Sequence, residues 1–359
     1  MPAQPVARRH RRRGVLTVTE TNRVGEAPSL AGQGQPLGGR RFDWIRFAEA
    51  YALLAGILVL GAVFGFLRPE AFLSWGNITT ILGSQAVLVV LTLALIIPLT
   101  AGDYDLSVAS VLTLSGMLLA VLNAQHGWPL WAAIAVALAS GVCTGVVNAA
   151  FILFFRIPSL IVTLGTSSFI NGVVLWVSGS MTVSGVSENL VDWVVVRRLF
   201  GIPLEFYYAI TLCFALWYFF EYTTPGRRLL FVGRGREVAR LSGIKVDRAR
   251  LYSLIVSGLL SACAGILYAG TIGAADPLSG LTFLLPAFAA AFLGATSISP
   301  GRFNPWGSLV AVYFLVTGIT GLTILGIQTF VQNLFYGAGL VLAVALSQLV
   351  RNREAQDFS

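Results

Sequence analysis

Two aspartates stand at the boundary between two apolar segments, within residues 100–107 of the sequence. An unpaired carboxylate is costly inside a membrane, and one that is kept there usually lines a cavity or forms a pair. The boundary leaves almost no room for a polar linker, so we predict a broken helix whose free backbone groups face protein or water. Asp103, Asp105 and Ser107 are therefore candidates to line a path for a solute. A second interpretation is that Asp105 or Ser107 caps the helix that follows.

A comparable break is predicted at residues 275–280, where Asp276 is followed by Pro277, Leu278 and Ser279. If the chain has ten membrane spans divided five and five, the two breaks follow the second helix of each half and lie on opposite faces of the membrane. An inverted repeat predicts this arrangement, and solute paths tend to run along the interface between repeats. We therefore include Asp276 among the path candidates.

Polar and aromatic side chains inside the apolar segments complete the candidate path. Amide and hydroxyl groups exchange hydrogen bonds with the hydroxyls of a polar solute, and an aromatic ring packs against an apolar face of such a solute. Ordinary hydrogen bonding between helices is the alternative role for each of these side chains. The candidates are Asn148, Thr166, Ser167, Phe169 and Asn171.

The sequence offers few groups for enzymatic chemistry. It has two histidines, His10 and His126, and no GxSxG motif, so no set of nucleophile, base and acid is evident. Its single lysine, Lys245, does not lie in a GxxxxGK[ST] phosphate-binding loop. We expect a non-catalytic protein with no cofactor and no metal site of its own, so that ATP and Mg²⁺, if they drive transport, bind to a separate chain. The cysteines lack CxxC spacing and are interpreted as packing residues: Cys143, Cys213 and Cys263.

The composition is that of a membrane protein. Of 359 residues, 56% are hydrophobic and 11% are charged, whereas about a quarter of the residues of a soluble domain are charged. The apolar residues come in blocks of about 20, the length that crosses a bilayer as a helix. We predict an all-α polytopic transmembrane bundle of ten spans, although eight would preserve most of the charge pattern. The predicted spans lie near residues 48–67, 78–100, 106–124, 129–154, 159–178, 206–222, 251–273, 283–298, 305–325 and 328–349.

Lysine and arginine residues are distributed very unevenly among the predicted connections. With the N-terminus inside, 21 of the 24 lie on the cytosolic side, and only Arg68, Arg197 and Arg198 lie outside. Basic segments are retained in the cytosol during insertion, so we predict a protein of the bacterial inner membrane with both termini cytosolic. This placement explains the net charge of +8 without a nucleic-acid partner. The predicted organisation is a basic, disordered tail at 1–46, a transmembrane domain at 47–350 and a cytosolic tail at 351–359.

The segment at 223–250 is the longest predicted cytosolic connection between spans. Within it, residues 236–242 predict a short helix that is closed by Gly243. Val238, Leu241 and Ile244 give this helix an apolar edge beside its charged residues. Binding of anionic membrane lipid is one interpretation, because basic residues beside a membrane attract anionic headgroups. Docking of a partner protein explains the apolar edge as well.

Two GxxxG patterns, Gly61 to Gly65 and Gly141 to Gly145, predict close contacts between helices. Such spacing lets two helix backbones approach because glycine has no side chain. We expect both contacts to lie within the helix bundle rather than between subunits.

Four short motifs resemble those of a known family, the permease subunits of ribose-type and related sugar ABC importers. The resemblance extends over about residues 75–350, nearly all of the chain outside its N-terminal tail. The stretch at 239–244 matches the family's Ala-Arg-Leu-Ser-Gly-Ile without a change. The other three motifs are Asp105–Val108, Pro158–Gly165 and Leu293–Ser297.

The resemblance implies that the chain works with several other proteins. A separate ABC ATPase would receive a coupling helix near residues 237–243, and two permease subunits, identical or different, would surround the solute path. A soluble solute-binding protein would deliver the solute to the outer face. The residues implied in coupling to the ATPase are Arg236, Glu237, Ala239, Arg240, Leu241, Ser242, Gly243 and Ile244.

The sequence also departs from the family's pattern. Tyr104 lies between two aspartates, Ala295 stands for a glycine, and residues 299–303 replace a glycine-rich turn. These departures leave the identity of the solute open, because related branches carry different pentoses, hexoses, autoinducers or nucleosides. The main alternative function is an ion-coupled secondary transporter or channel in which Asp103 or Asp105 binds the ion.

Overall fold

The computed structural model describes residues 44–328 and 330–356. The predicted tail at 1–46 lies outside the described residues except for its last three positions, and so do the last three residues of the predicted C-terminal tail. The α-helices are α1 (Trp44–Leu67), α2 (Pro69–Phe72), α3 (Trp75–Ser84), α4 (Ala86–Thr100), α5 (Val108–Ala120), α6 (Leu130–Leu153), α7 (Ser159–Ser178), α8 (Glu188–Val191), α9 (Leu204–Tyr222), α10 (Thr224–Arg234), α11 (Arg236–Leu241), α12 (Val246–Ile272), α13 (Ser279–Gly294), α14 (Pro305–Ile324) and α15 (Phe330–Gln356). Two π-helices cover Val121–Gln125 and Asp192–Val196, and the strands are β1 (Val183–Ser184), β2 (Arg198–Leu199), β3 (Ile202–Pro203) and β4 (Ala274–Ala275).

Each of the ten predicted spans coincides with a helix or a pair of helices, and the prediction of an all-α polytopic fold is confirmed. In the described part of the chain, seven spans are long and apolar enough to cross a membrane, one of them formed by α3 and α4 together. The apolar helix α13 and the apolar first half of α15 are shorter. The remaining predicted span, α9, carries Glu205 and Glu221 near its two ends.

Helix α4 lies at the centre of the bundle. All of its residues are buried, and its sequence AVLVVLTLALIIPLT is apolar on every side, which is typical of a helix that is surrounded by other helices. Helices α9, α12, α13 and α14 pack against it and share one apolar core with it. Because lipid is as apolar as leucine, close packing and hydrogen bonds between helices, rather than the hydrophobic effect, hold such a bundle together.

Helices α6 and α12 approach each other most closely at glycines. A Cβ on Gly141 would lie 2.3 Å from the carbonyl oxygen of Gly258, and a Cβ on Gly145 would lie 2.6 Å from that of Leu254. These distances are too short for any side chain. The close contact predicted from the GxxxG pattern at 141–145 is therefore confirmed, and it lies within the bundle.

The GxxxG pattern of α1 does not make such a contact. Nothing lies within 4 Å of a Cβ built on Gly61, and the three atoms nearest to a Cβ on Gly65 all belong to the side chain of Leu73, at 3.2 to 3.3 Å. The prediction of a close helix contact within the bundle is wrong for this pattern. The GxxxG spacing would allow a close helix contact, but no helix of the described chain packs against α1 at Gly61.

The connections that share a predicted side of the membrane contact one another. On the predicted cytosolic side, the N–H of Ile298 donates to the carbonyl of Ala50 at 2.9 Å, and Arg302 pairs with Glu221. On the opposite side, β1 pairs antiparallel with β4. Two connections can touch in this way only if an even number of membrane crossings separates them along the chain. The predicted spans meet this condition for each pair.

Candidate functional site

The break between α4 and α5 organises the candidate site. Pro98 lies in the last turn of α4, and the chain leaves the helix at Gly102, which has a φ of +78°; glycine adopts this conformation readily. The N–H of Asp103 donates back to the carbonyl of Pro98 at 2.9 Å. Because α5 begins only at Val108, residues 101–107 form an irregular segment, and the predicted broken helix is confirmed.

Asp105 is 2% exposed and lies among hydroxyl and amide groups. Its Oδ1 accepts hydrogen bonds from the N–H of Ser107 at 3.0 Å and from the Ser107 hydroxyl at 2.6 Å. Its Oδ2 accepts from the hydroxyl of Ser257, a residue that the sequence did not indicate, at 3.0 Å. Nδ2 of Asn148 donates to the Ser107 hydroxyl at 2.8 Å. We call Asp105, Ser107, Asn148 and Ser257 the Asp105 cluster.

The geometry supports the capping interpretation for Asp105, which accepts the N–H of Ser107 directly before α5, but not for Ser107, whose side chain caps no N–H of α5. A carboxylate that accepts a free N–H at the start of a helix satisfies a donor that has no partner within the helix. The cluster also retains an unused acceptor, because Oδ1 of Asn148 is buried without a hydrogen-bond partner among the described residues. Capping of α5 and contact with a polar solute are therefore compatible roles.

Asp103 is 1% exposed and lies between two guanidinium groups. Nε of Arg250 donates to Oδ2 at 2.7 Å and Nη2 of Arg250 donates to Oδ1 at 2.7 Å, while Nη2 of Arg236 donates to Oδ1 at 3.0 Å. We call these three residues the Asp103 triad. Asp103 was predicted as a path residue, but its carboxylate is already neutralised within the chain. Arg250 was missed, and Arg236 was expected only to contact the ATPase.

The candidates on α7 do not share one face. The hydroxyl of Ser167 is buried and lies 2.6 Å from that of Ser110 on α5. Phe169 is 73% exposed and points away from the bundle, while Thr166 and Asn171 are half-buried. Since α7 packs on α5 and α6 at the edge of the chain, its outer face is open to lipid or to another subunit.

Asp276 is separated from the Asp105 cluster along α12. The cluster includes Ser257, and the helix continues from there to Ile272, a length of about 23 Å. Its Oδ1 accepts from the N–H of Leu278 at 2.8 Å, and its Oδ2 accepts from the hydroxyl of Thr182 at 2.9 Å. In both breaks an aspartate thus accepts from the backbone N–H two residues later. Such a contact is common in turns, so the inverted repeat stays a prediction.

The segment at 223–250 contains two helices where the sequence indicated one. The predicted short helix is present as α11, one residue shorter than predicted, and Gly243 follows it with a φ of +79°. The N–H of Ile244 donates to the carbonyl of Ala239 at 3.0 Å, which closes the helix end. The preceding helix α10 was missed, although Thr223 caps it by accepting from the N–H of Gly226 at 3.2 Å.

Helix α11 presents one face to the protein and another to its surroundings. Ala239 is buried in a small apolar cluster with Val232 and Val246, whereas Val238 and Leu241 are 59% and 88% exposed. The charged residues on the outer face form only long contacts: Arg240 lies 3.7 Å from both Glu237 and Asp247. Ser242 donates from its hydroxyl to the carbonyl of Val238 at 2.9 Å. The predicted apolar edge is therefore exposed at two of its three residues, since Ile244 is half-buried.

A cavity of about 1010 Å³ opens beside this segment, between α9, α10 and α12. Apolar residues of these helices line one part, and Arg228, Lys245 and Arg248 line another. None of the path candidates is among its described lining residues. The candidate path therefore does not coincide with this cavity in the single chain.

The sequence also gave no indication of Glu205, at the opposite end of the bundle. This carboxylate is 2% exposed and accepts a hydrogen bond from the hydroxyl of Thr271 at 2.7 Å. In the sequence, Glu205 is a single acidic residue at the start of an aromatic segment, a pattern typical of a surface position. It is buried because α9 packs against neighbouring helices, which the sequence does not show. No group of three or more metal-ligating side chains occurs within the described ranges.

Comparison with known proteins gave a family and several relatives. A family model described as "Branched-chain amino acid transport system / permease component" matches residues 77–344. The D-allose transport system permease protein of Escherichia coli strain K12 is 30% identical, with 86% of this chain and 94% of that protein covered. The ribose import permease protein of the same strain is 30% identical, with 86% and 97% covered. The autoinducer 2 import system permease protein of Photorhabdus laumondii is 31% identical, with 85% and 91% covered. No solved structure matches the chain.

Proposed function

Since the chain belongs to the family of transport-system permease components whose pattern matches residues 77–344, we propose that it is the membrane-spanning subunit of an ATP-driven importer for a sugar or a similarly polar small solute. The sugar-permease resemblance of its motifs is confirmed by the matched relatives, two of which are named for D-allose and ribose. Those relatives are transport permeases, which agrees with a non-catalytic subunit. A separate ABC ATPase would bind ATP and Mg²⁺, because this sequence has no phosphate-binding loop.

One observation carries the proposed coupling to an ATPase: α11 exposes Leu241 and Val238 at a connection between spans. An exposed leucine that is 88% accessible gains most from burial against a partner protein, and an amphipathic helix fits a groove through such residues. The basic residues around it are also attracted to lipid headgroups. Lipid headgroups alone, however, would leave the leucine unburied.

We expect Leu241→Glu to weaken binding of the ATPase by about tenfold or more, because a buried apolar anchor at an interface contributes at least about 1.4 kcal/mol. The experiment co-purifies the chain with a candidate ABC ATPase and measures the dissociation constant in detergent or nanodiscs. Leu199→Glu is the matched control, since Leu199 is exposed on the opposite side of the bundle. Equal affinity of both variants for the ATPase would contradict docking through α11.

We place the solute path between two permease subunits, identical or different. Thr166 and Asn171 offer hydrogen-bonding groups from half-buried positions on α7, whose outer face exposes the aromatic ring of Phe169. The Asp105 cluster lies behind it, since Ser167 of α7 contacts α5 one turn beyond Ser107. A solute-binding protein would then present the solute on the outer side. Uptake of radiolabelled pentoses and hexoses into proteoliposomes that contain the chain, the ATPase and the binding protein tests this assignment.

The same proteoliposomes distinguish the ion-coupled alternative. Asp103 is already paired with two arginines, which leaves Asp105 as the carboxylate available for an ion. A proton or sodium gradient without ATP would then drive uptake by the chain alone. We expect no uptake under those conditions and full uptake only with ATP and the ATPase, and the reverse result would overturn the proposed function.

A further inference from the structure

The Asp103 triad joins three separate parts of the chain. Asp103 lies in the break after α4, Arg250 lies on α12, and Arg236 is the first residue of α11. Arg250 alone contacts both carboxylate oxygens at 2.7 Å, and a bidentate arginine of this kind already neutralises a carboxylate. Arg250 is also mostly buried, with 14% of its side chain exposed. The second arginine is therefore not needed to balance the charge of Asp103.

Arg236 makes further contacts that explain its position. Its Nη2 donates to the carbonyls of Ala101 at 3.1 Å and Gly102 at 2.8 Å, in addition to Asp103. These carbonyls lie at the end of α4, where the helix dipole is negative and attracts a cation. Arg236 thus caps α4 from a distant segment and ties the start of α11 to the break.

A second contact holds the same two parts together. A Cβ on Gly233, near the end of α10, would lie only 1.8 Å from the carbonyl oxygen of Thr100. The junction between α10 and α11 therefore packs directly on the last turn of α4, with no side chain between them. Movement of α11 that keeps these contacts must also move the end of α4 and the segment at 101–107.

We propose that the Asp103 triad is the mechanical link between the docking helix and the transmembrane path, with Arg250 as its fixed member and Arg236 as its moving member. This inference rests on the proposed function, because it assigns the route by which ATPase movement at α11 reaches the break. Asp103 holds the segment that also carries Asp105 and Ser107, so displacement at Arg236 reaches the Asp105 cluster two residues away. The triad residues are positioning residues that contact neither nucleotide nor solute.

The test measures solute molecules imported per ATP hydrolysed, in proteoliposomes with the ATPase and binding protein. For Arg236→Gln we expect this ratio to fall by about fivefold or more, which is the lower end of typical coupling between two sites. Binding of the ATPase should remain within about twofold of wild type, because the variant changes the link and not the docking surface. Arg236→Lys, which keeps the charge but not the forked geometry, is expected to restore part of the ratio. The matched control is Arg197→Gln, which removes an exposed arginine paired with Asp192 at 2.6 Å on the opposite side.

The experiment distinguishes failure of the triad as a mechanical link from failure of the proposed ATP-driven import. Normal transport per ATP in Arg236→Gln would overturn the link and leave the proposed function intact. Loss of ATPase binding in proportion to loss of uptake would make Arg236 a docking residue and would also overturn the link. Wild-type protein that imports solute without ATP would instead overturn the proposed function. Asp103→Asn is a second variant with the same expected loss of ratio, and Arg236→Gln keeps the test valid if Asp103→Asn fails to insert.

Discussion

At the scale of single residues, Asp105 holds three helices together. It accepts hydrogen bonds from Ser107 at the start of α5 and from Ser257 on α12, and Ser107 in turn accepts from Asn148 on α6. Every residue of the Asp105 cluster is at most 2% exposed, and Ser257 is fully buried. In a medium with little water, each donor depends on the acceptor that the protein provides.

We expect Asp105→Ala to lower the free energy of unfolding by about 1–3 kcal/mol or more, because it leaves buried donors on Ser107 and Ser257 without an acceptor. Asp105→Asn keeps an oxygen at this position, and its new amide can donate to the Ser257 hydroxyl, so we expect a smaller loss. Thermal unfolding of the purified protein in detergent measures the difference. Equal losses in the two variants would show that the hydrogen bonds of the carboxyl oxygens do not stabilise the break.

Residue-scale prediction from the sequence succeeded where partners are close along the chain. The capping contact of Asp105 with Ser107 spans two residues and follows from the local pattern Asp-Leu-Ser. The pairing of Asp103 with Arg250 spans 147 positions, and no periodicity or spacing joins the two. Asp103 was therefore predicted to line a path, although the fold supplies it with cations.

At the scale of helices, the α6–α12 contact depends on glycine. Carbonyl oxygens of α12 lie where the side chains of Gly141 and Gly145 would be. Backbone atoms cannot move aside as a flexible side chain can, so any larger residue must push the two helices apart. Helix α12 also contacts α4 and α5, and separation at α6 would disturb those contacts as well.

We expect Gly145→Val to lower the free energy of unfolding by about 1–3 kcal/mol, the usual cost of forcing extra atoms into a packed interior. Gly61→Val is the matched control, because a Cβ at Gly61 meets nothing within 4 Å. Melting temperatures of both variants in the same detergent provide the measurement. A control variant that melts as early as Gly145→Val would mean that valine in these helices, rather than close packing, causes the loss.

The sequence predicted the strongly apolar helices well and missed an amphipathic one. The ten apolar blocks identified the long helices because each block exceeds the length of a bilayer crossing. Helix α10 was missed because it is amphipathic and lies outside the membrane spans, although Thr223 followed by Pro225 is a signal for a helix start. The GxxxG pattern at Gly61 shows the opposite error: spacing alone cannot tell whether a neighbouring helix is present.

At the scale of the whole molecule, the distribution of charge and the contacts between connections agree. The charge pattern placed residues 101–105 and 223–250 on one side, and the Asp103 triad joins them. It placed the turns near 183 and 275 on the other side, and β1 pairs with β4 there. The sequence could not predict whether lipid or a partner protein covers the outer faces of α1 and α7, because apolar residues suit both.

The distribution of basic residues predicts the orientation in the membrane. Because 21 of the 24 basic residues lie on one side and basic segments are retained in the cytosol, we expect α10 and α11 inside the cell and the turn after α7 outside. In a variant whose three cysteines are replaced by alanine, a membrane-impermeant maleimide should label Ser180→Cys on intact cells, and should label Ser242→Cys only after the membrane is opened. Ser180 and Ser242 are both exposed, so accessibility of the side chain is matched between the two positions. Labelling of Ser242→Cys on intact cells would invert the topology and would place α11 where no cytosolic ATPase can reach it, so it would refute the coupling role together with the orientation.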